Sequence, residues 1–164
     1  MNIVSETQFL QALKILLSTR QVLDYKPNMP NAVVFDIDGT LVYDHSWDKP
    51  IKSVVNFCNH CREIGVSPII VTARPGWQEN IEKTKESLQE LGIQCDALFF
   101  RKPDIQDLGS YKTNVREYIT KNAKYNILIS IGDNPWDCGK YGGTGVLMTA
   151  APSSNVIKYQ ILSN

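Results

Sequence analysis

The sequence predicts an α/β fold, a Rossmann-like doubly wound parallel sheet of about five strands with helices on both faces. Three observations lead there. Short runs of β-prone residues alternate with longer segments of helical period. Gly, Pro or Asp closes almost every run. The chain, 164 residues with 43% hydrophobic and 21% charged side chains, has the size and composition of one domain with a real core. The reading is a single domain over 1–164, with an N-terminal helix at about 5–23, a core at about 32–149 and a tail at 150–164.

Ser5 and Gln8 have the spacing of a capping box, and Phe9, Leu10, Leu13, Leu16 and Leu17 follow on one face, which predicts the first helix. Pro27 and Pro30 end that region and lead into a buried strand over 32–37. Pro50 opens a second helix that stops at Gly65. Ser67–Thr72 is a second strand, and Pro75-Gly76 breaks the chain before a polar helix from Gln78 to Leu91. Asp96–Phe100 is a third strand, and 101–110 a polar loop. Thr113–Asn122 is a helix with Val115, Tyr118 and Ile119 on one face. Ile127–Ile131 is a fourth strand, Asp137–Tyr141 a short helix and Gly145–Thr149 a fifth strand. The tail, with Val156, Ile157, Ile161 and Leu162, is expected to dock as a last helix.

The most informative stretch is Asp36-Ile37-Asp38-Gly39-Thr40, which follows the apolar run Ala32-Val33-Val34-Phe35. Two carboxylates at i, i+2 arrive at the carboxyl end of a strand, where open α/β sheets bind ligands, and Gly39 lets the chain turn. Acids so close repel, so the site wants a cation or a shared proton. Mg²⁺ suits carboxylate oxygens and commonly binds together with phosphate. A carboxylate can also attack phosphorus while its neighbour acts as general acid. Alone, Asp-Gly-Thr is also common turn chemistry.

Three further segments add matching parts. One strand ends in Thr72-Ala73-Arg74, with a hydroxyl, backbone N–H groups and a guanidinium; the chain after the third strand brings Lys112; the fourth strand ends in Gly132-Asp133-Asn134-Pro135-Trp136-Asp137. In a parallel sheet these ends share one edge. Nucleophile, hydroxyl donor, cation and metal carboxylate are what phosphoryl transfer requires.

With these in order, the chain resembles the haloacid dehalogenase (HAD) superfamily of phosphohydrolases: DxDGT at Asp36–Thr40, a strand-end Thr at Thr72, a Lys at Lys112, and the GDxxxD pattern at Asp133–Asp137. VTARP at Val71–Pro75 and Tyr111-Lys112 look like the acid-phosphatase branch, class B and plant type, and the layout is also similar to polynucleotide-kinase phosphatase domains. The resemblance implies that Asp36 is the nucleophile and Asp38 the acid that protonates the leaving oxygen and then activates water. It implies Mg²⁺ on Asp36, the Asp38 carbonyl and Asp133, with Asp137 a further ligand or an orienting acid, although a helix-capping role suits Asp137 too. Thr72, the backbone at Ala73 and Lys112 would bind the phosphoryl group, supported by Gly39, Thr40, Arg74 and Asn134. The expected activity is a phosphomonoester hydrolase acting on a phosphorylated substrate, a nucleotide or nucleic-acid end. A protein phosphoester is the rival substrate, and a binding module that kept the fold without turnover is the rival class.

Family members often carry a cap domain between these motifs. Here Leu41–Thr72 and Thr72–Lys112 are filled by single helices, strands and loops, which leaves no room for a cap of about 50 residues or more. The site is expected to be open to large substrates, or covered by a partner subunit in a homo-oligomer. Trp47, Trp77 and Trp136 sit in loops beside the motifs, with Tyr43, His45 and Tyr111, and are candidates for stacking a base. The stretch from Arg101 to Lys124 also holds Lys102, Lys112, Arg116 and Lys121 and reads as a mild positive patch or a solvated face.

Other classes lose ground. Lys+Arg and Asp+Glu both total 17, so there is no global charge to attract nucleic acid or membrane. No apolar run is long enough to cross a bilayer and no signal peptide is evident, so a cytoplasmic location is expected. Cys58-Asn59-His60-Cys61 has metal or redox spacing, but it lies in a helical pattern with no second pair, so the cysteines are read as ordinary helix residues.

Overall fold

A computed structural model describes residues 1–163. Its elements run β1 (Asn2–Ser5), α1 (Glu6–Leu23), β2 (Asn31–Phe35), α2 (Lys52–Glu63), β3 (Ser67–Pro75), α3 (Gln78–Glu90), β4 (Ala97–Arg101), α4 (Leu108–Lys121), β5 (Asn126–Gly132), a single 3₁₀ turn (Pro135–Asp137), β6 (Thr144–Ala150) and β7 (Val156–Leu162). The sheet has seven strands in the order β1-β7-β6-β5-β2-β3-β4. Strands β4-β3-β2-β5-β6 pair in parallel, while β7 and β1 add on antiparallel.

The α/β class and the mostly parallel sheet agree with the sequence reading; the strand number does not. The tail expected as a helix is β7, which hydrogen-bonds along β6 from Gly145↔Leu162 to Ala150↔Ile157. Its Ile157, Tyr159 and Ile161 alternate, and that period of two wins over the helical spacing of the end residues. Strand β1 has no counterpart in the sequence reading and pairs with β7 at Val4↔Ile157. The short helix expected over Asp137–Tyr141 is instead the turn at Pro135–Asp137, and α4 starts at Leu108, capped by the Asp107 side chain, so Lys112 lies inside a helix rather than before one.

Alternation along β2 makes two cores. Val33 and Phe35 face Phe9, Leu13 and Leu17 of α1 and Val54, Phe57, Cys58 and Cys61 of α2. Ala32 and Val34 face Tyr111, Val115 and Ile119 of α4. Burying each large apolar side chain contributes about 1.5–3 kcal/mol, so the α1 face alone is a major stabiliser. The capping box at the head of α1 forms as expected: Gln8 N–H donates to Ser5 Oγ at 3.1 Å and Ser5 N–H to the Gln8 side chain at 2.9 Å. Cys58 and Cys61 are buried free thiols, and burial pushes the Cys61 thiol up to about 12.

The topology positions the site. From β2 the chain moves through α2 and α3 to β3 and β4 on one side, and from β5 it moves to β6 on the other. The crevice between the carboxyl ends of β2 and β5 is therefore the switch point where such sheets bind ligands.

Candidate active site

Asp36 follows β2 and Asp133 follows β5, so neighbouring strands deliver them to the same crevice. Gly39, at φ 78°, turns the chain back beneath Asp133; a Cβ there would lie 2.1 Å from Asp133 Oδ2. On the other side, Gly132 leaves room for Asp137, whose side chain would sit 2.2 Å from a Cβ at that position. These two glycines let three carboxylates converge: Asp36, Asp133 and Asp137 each offer an oxygen, all within 4.8 Å of one another.

One buried cation faces them. Lys112 is 2% exposed, and its Nζ lies 3.0 Å from Asp36 Oδ1 and 2.7 Å from Asp137 Oδ1, while donating to the Val71 carbonyl at 2.6 Å. Burial alone would lower its pKa, but Asp36 and Asp137 together raise it, so the ammonium stays charged. Burial pushes the Asp36 carboxyl well above its usual range, with Lys112 opposing and Asp137 reinforcing. Burial raises Asp133 too, against the lowering effect of its hydrogen bond with Asp36. One ammonium cannot neutralise three carboxylates, so the pair Asp36–Asp133 holds a proton or takes a cation. The all-oxygen donor set and the space cleared by Gly39 fit a hard divalent ion.

Asp38 stands apart from the cluster. Its carboxylate takes a forked pair from Arg74, Nε to Oδ2 at 2.9 Å and Nη2 to Oδ1 at 2.7 Å. Arg74 also donates to the buried Thr84 hydroxyl at 2.9 Å, and its guanidinium lies 3.8 Å over the Trp47 ring. Such a bidentate pair fixes direction as well as charge. Sequence reasoning placed Arg74 at the site but gave no sign that it holds Asp38. Thr72 is fully buried at the end of the regular part of β3; its hydroxyl accepts the Arg74 N–H at 3.1 Å, and its carbonyl accepts from Tyr111 Oη at 2.7 Å. The Ala73 carbonyl accepts from Arg101 Nε at 2.9 Å. Thr40 is buried, and its hydroxyl has no partner. Asn134 donates its side-chain amide to Asp133 Oδ1 at 3.2 Å and its N–H to Asp137 Oδ2 at 3.1 Å, so Asp137 caps the 3₁₀ turn while it pairs with Lys112.

The tryptophans separate. Trp47 is engaged by the chain itself, with Arg74 over its ring and the Lys83 ammonium 4.4 Å from its centroid. Trp77 is 60% and Trp136 39% exposed. The positive patch shrinks: Lys112 and Arg116 are buried, Arg101 spends its guanidinium on the carbonyls of Ala73, Pro103 and Ile105, and Lys102, Lys121 and Lys124 remain exposed.

A family profile for HAD superfamily, subfamily IIIB (acid phosphatase), matches residues 42–160. The chain belongs to this family. The matched HAD span holds Thr72, Lys112, Asp133 and Asp137, and the acid pair Asp36 and Asp38 lies just before it. Membership in this HAD acid-phosphatase subfamily supports a phosphatase. Among solved structures, the chain is similar to one in the Pnkp1/Rnl/Hen1 complex, at 21% identity and TM-score 0.58, covering 68% of this chain and 42% of that one. It is also similar to one in the Pnkp1/Rnl/Hen1 RNA repair complex, at 20% identity and TM-score 0.56, covering 70% of this chain and 39% of that one. This chain thus spans about two fifths of the length of those structures, and at such identity the likeness is one of fold. No curated protein matches the sequence. No helix among the described residues is long and apolar enough to cross a membrane.

Proposed function

We propose that this chain is a Mg²⁺-dependent phosphomonoester hydrolase that works through an aspartyl-phosphate on Asp36. The observation that carries the reading is the convergence of Asp36, Asp133 and Lys112 at the switch point of a sheet whose family is one of acid phosphatases. Asp36, the Asp38 carbonyl and Asp133 would hold the ion, which supplies neutralisation of phosphoryl charge beside the nucleophile. Lys112 presents a second positive charge to the transferring group and keeps the Asp36 oxygen in place. Thr72 has already accepted a backbone N–H, so its hydroxyl proton is left to donate to a phosphoryl oxygen. Asp36 attacks phosphorus and the leaving oxygen departs with a proton from Asp38; water activated by Asp38 then opens the acyl phosphate and frees Asp36.

The preferred substrate is a nucleotide or nucleic-acid end. Trp77 and Trp136 support it, being exposed aromatics in the loops that follow β3 and β5. The test is hydrolysis of a generic aryl phosphate in Mg²⁺ and in EDTA, by the wild type and by Asp36→Asn. A screen of nucleotides, sugar phosphates, phosphopeptides and 3′-phosphorylated oligonucleotides follows. Turnover should need Mg²⁺ and vanish in the folded variant. Equal turnover in Asp36→Asn, or full activity in chelator, would overturn the mechanism.

A further inference from the structure

We propose that Arg116 is a positioning residue: by clasping the backbone of the loop after β5, it holds Asp133, which would bind the ion, and Asp137, which pairs with Lys112, in place beside Asp36. Arg116 is 1% exposed, one turn beyond Lys112 on α4. A buried guanidinium without partners is expensive, and among the described residues no carboxylate forms an ion pair with it. It spends its donors on main chain instead. Nη1 donates to the Trp136 carbonyl at 2.8 Å, Nη2 to that of Cys138 at 3.2 Å and Nε to that of Lys140 at 3.0 Å. Nη2 also reaches Thr113 Oγ1 at 3.4 Å.

These carbonyls belong to every second residue of one loop, so the loop is wrapped around a planar fork. Only an arginine offers donors in that fixed spread; a lysine ammonium is a point and reaches one or two of them. The same loop carries Asp137 and follows Asp133 directly. It has little freedom to find its place otherwise, because the Asp137 side chain fills the space beside Gly132. At its far end, Ser130 Oγ donates to the Gly142 carbonyl at 2.9 Å.

Lys112 and Arg116 lie four residues apart, on the same side of α4. One rigid helix therefore holds the ammonium that faces Asp36 and Asp137, and also the guanidinium that fixes the loop bearing Asp137. The spacing of the site is set by the helix, not by the loop. A mid-helix arginine in a charged stretch gives no sign of this in the sequence.

The inference rests on the Mg²⁺ reading above, and its test separates the two. Mg²⁺ binding to the metal-free full chain is measured by calorimetry for the wild type, Arg116→Lys and Ser130→Ala, with amide hydrogen exchange over 133–140 recorded without metal. Losing an outer partner of metal ligands costs about 10- to 100-fold in affinity, and that loss is expected for folded Arg116→Lys. Faster exchange confined to 133–140, with β2 and β3 unchanged, is expected beside it. Ser130→Ala should weaken Mg²⁺ in the same direction by a smaller factor. A purely structural Arg116 would lower Tm yet leave the affinity of the folded molecules unchanged, and that result overturns the proposal. If Arg116→Lys does not fold, unchanged affinity in Ser130→Ala overturns it. A wild type that binds no Mg²⁺ overturns the metal reading itself, whatever the exchange shows.

Discussion

Lys112→Met removes the cation that, among the described residues, is buried between Asp36 and Asp137, while keeping most of the length of the side chain. Its Nζ sits 3.0 Å from Asp36 and 2.7 Å from Asp137, almost wholly out of water. Taking one partner from a buried pair costs about 3–5 kcal/mol, because the remaining charge stays desolvated. For a chain of this size that corresponds to a fall of roughly 6–20 °C in Tm. The loss should depend on pH, and the sign follows from Asp36. Its folded carboxyl already titrates well above the usual range, and Lys112 is the main influence holding it down. Without Lys112 it rises further. A carboxyl raised in the folded state binds protons that the unfolded chain has released, so stability falls as pH climbs from the ordinary carboxylate range through the raised value. Below that window Asp36 is neutral and misses the ammonium less. Thermal melts of metal-free wild type and Lys112→Met at pH 5 and pH 8 decide the matter. The gap in Tm should be wide at pH 8 and narrower at pH 5, and Mg²⁺ should recover part of it at pH 8. A gap that widens at pH 5, or no gap at pH 8, would refute the electrostatic account of the site.

Asp38→Asn should slow an alkyl phosphate by about 10²–10⁴-fold and an aryl phosphate much less, since a good leaving group needs little protonation; equal losses would remove Asp38 as the acid. Mg²⁺ affinity should fall as pH drops, because Asp36 and Asp133 are both raised by burial in the metal-free protein and must shed their proton to bind. Calorimetry in buffers of different ionisation enthalpy should count roughly one proton released, and none released would contradict the shared-proton picture. Trp77→Ala should weaken oligonucleotide binding by about 1–3 kcal/mol and spare kcat on an aryl phosphate, whereas Trp47→Ala should damage both substrates, because the Trp47 ring lies against the arginine that aims Asp38. Identical profiles for the two variants would erase that distinction.

Where chemistry was concentrated in a short motif, the sequence could be read. The sequence reading singled out Asp36, Asp38, Thr72 and Asp133 by residue type and position at a strand end, and Lys112 in the chain after the third strand; the structure gathers Asp36, Lys112 and Asp133 in one crevice, and apolar runs mark the buried strands β2 and β5. What escaped were pairings that depend on distant partners. Strand β1 is four residues long and gains its identity from β7; its own pattern is too short to carry a period. The helical reading of the tail gave weight to Ile161 and Leu162 and missed the alternation of Ile157, Tyr159 and Ile161. The stretch from Arg101 to Lys124 looked like surface because charge normally stays in water. Whether an arginine is solvated, or buried on carbonyls as Arg116 is, depends on a loop some twenty residues away. For the same reason Trp47 read as an open stacking platform: the sequence does not say that Arg74 and Lys83 come back to cover it.

Of the seven strands described, β1 is the one whose partner lies farthest away along the chain. Strand β1 lies at the rim of the sheet and, among the described residues, pairs with β7 alone, through Asn2↔Tyr159 to Ser5↔Val156. Every other described strand has a neighbour closer along the chain, but β1 cannot pair until β7, about 150 residues later, has docked on β6. Among the strand pairings described, this one spans the longest stretch of chain and so carries the largest loop-closure cost. During that interval Ile3 and Val4 are an unpaired β-prone segment on a nascent chain, available to the same segment of another copy. The parallel heart of the sheet, and with it the pocket that holds Asp36 and Asp133, can therefore be assembled before the rim is closed.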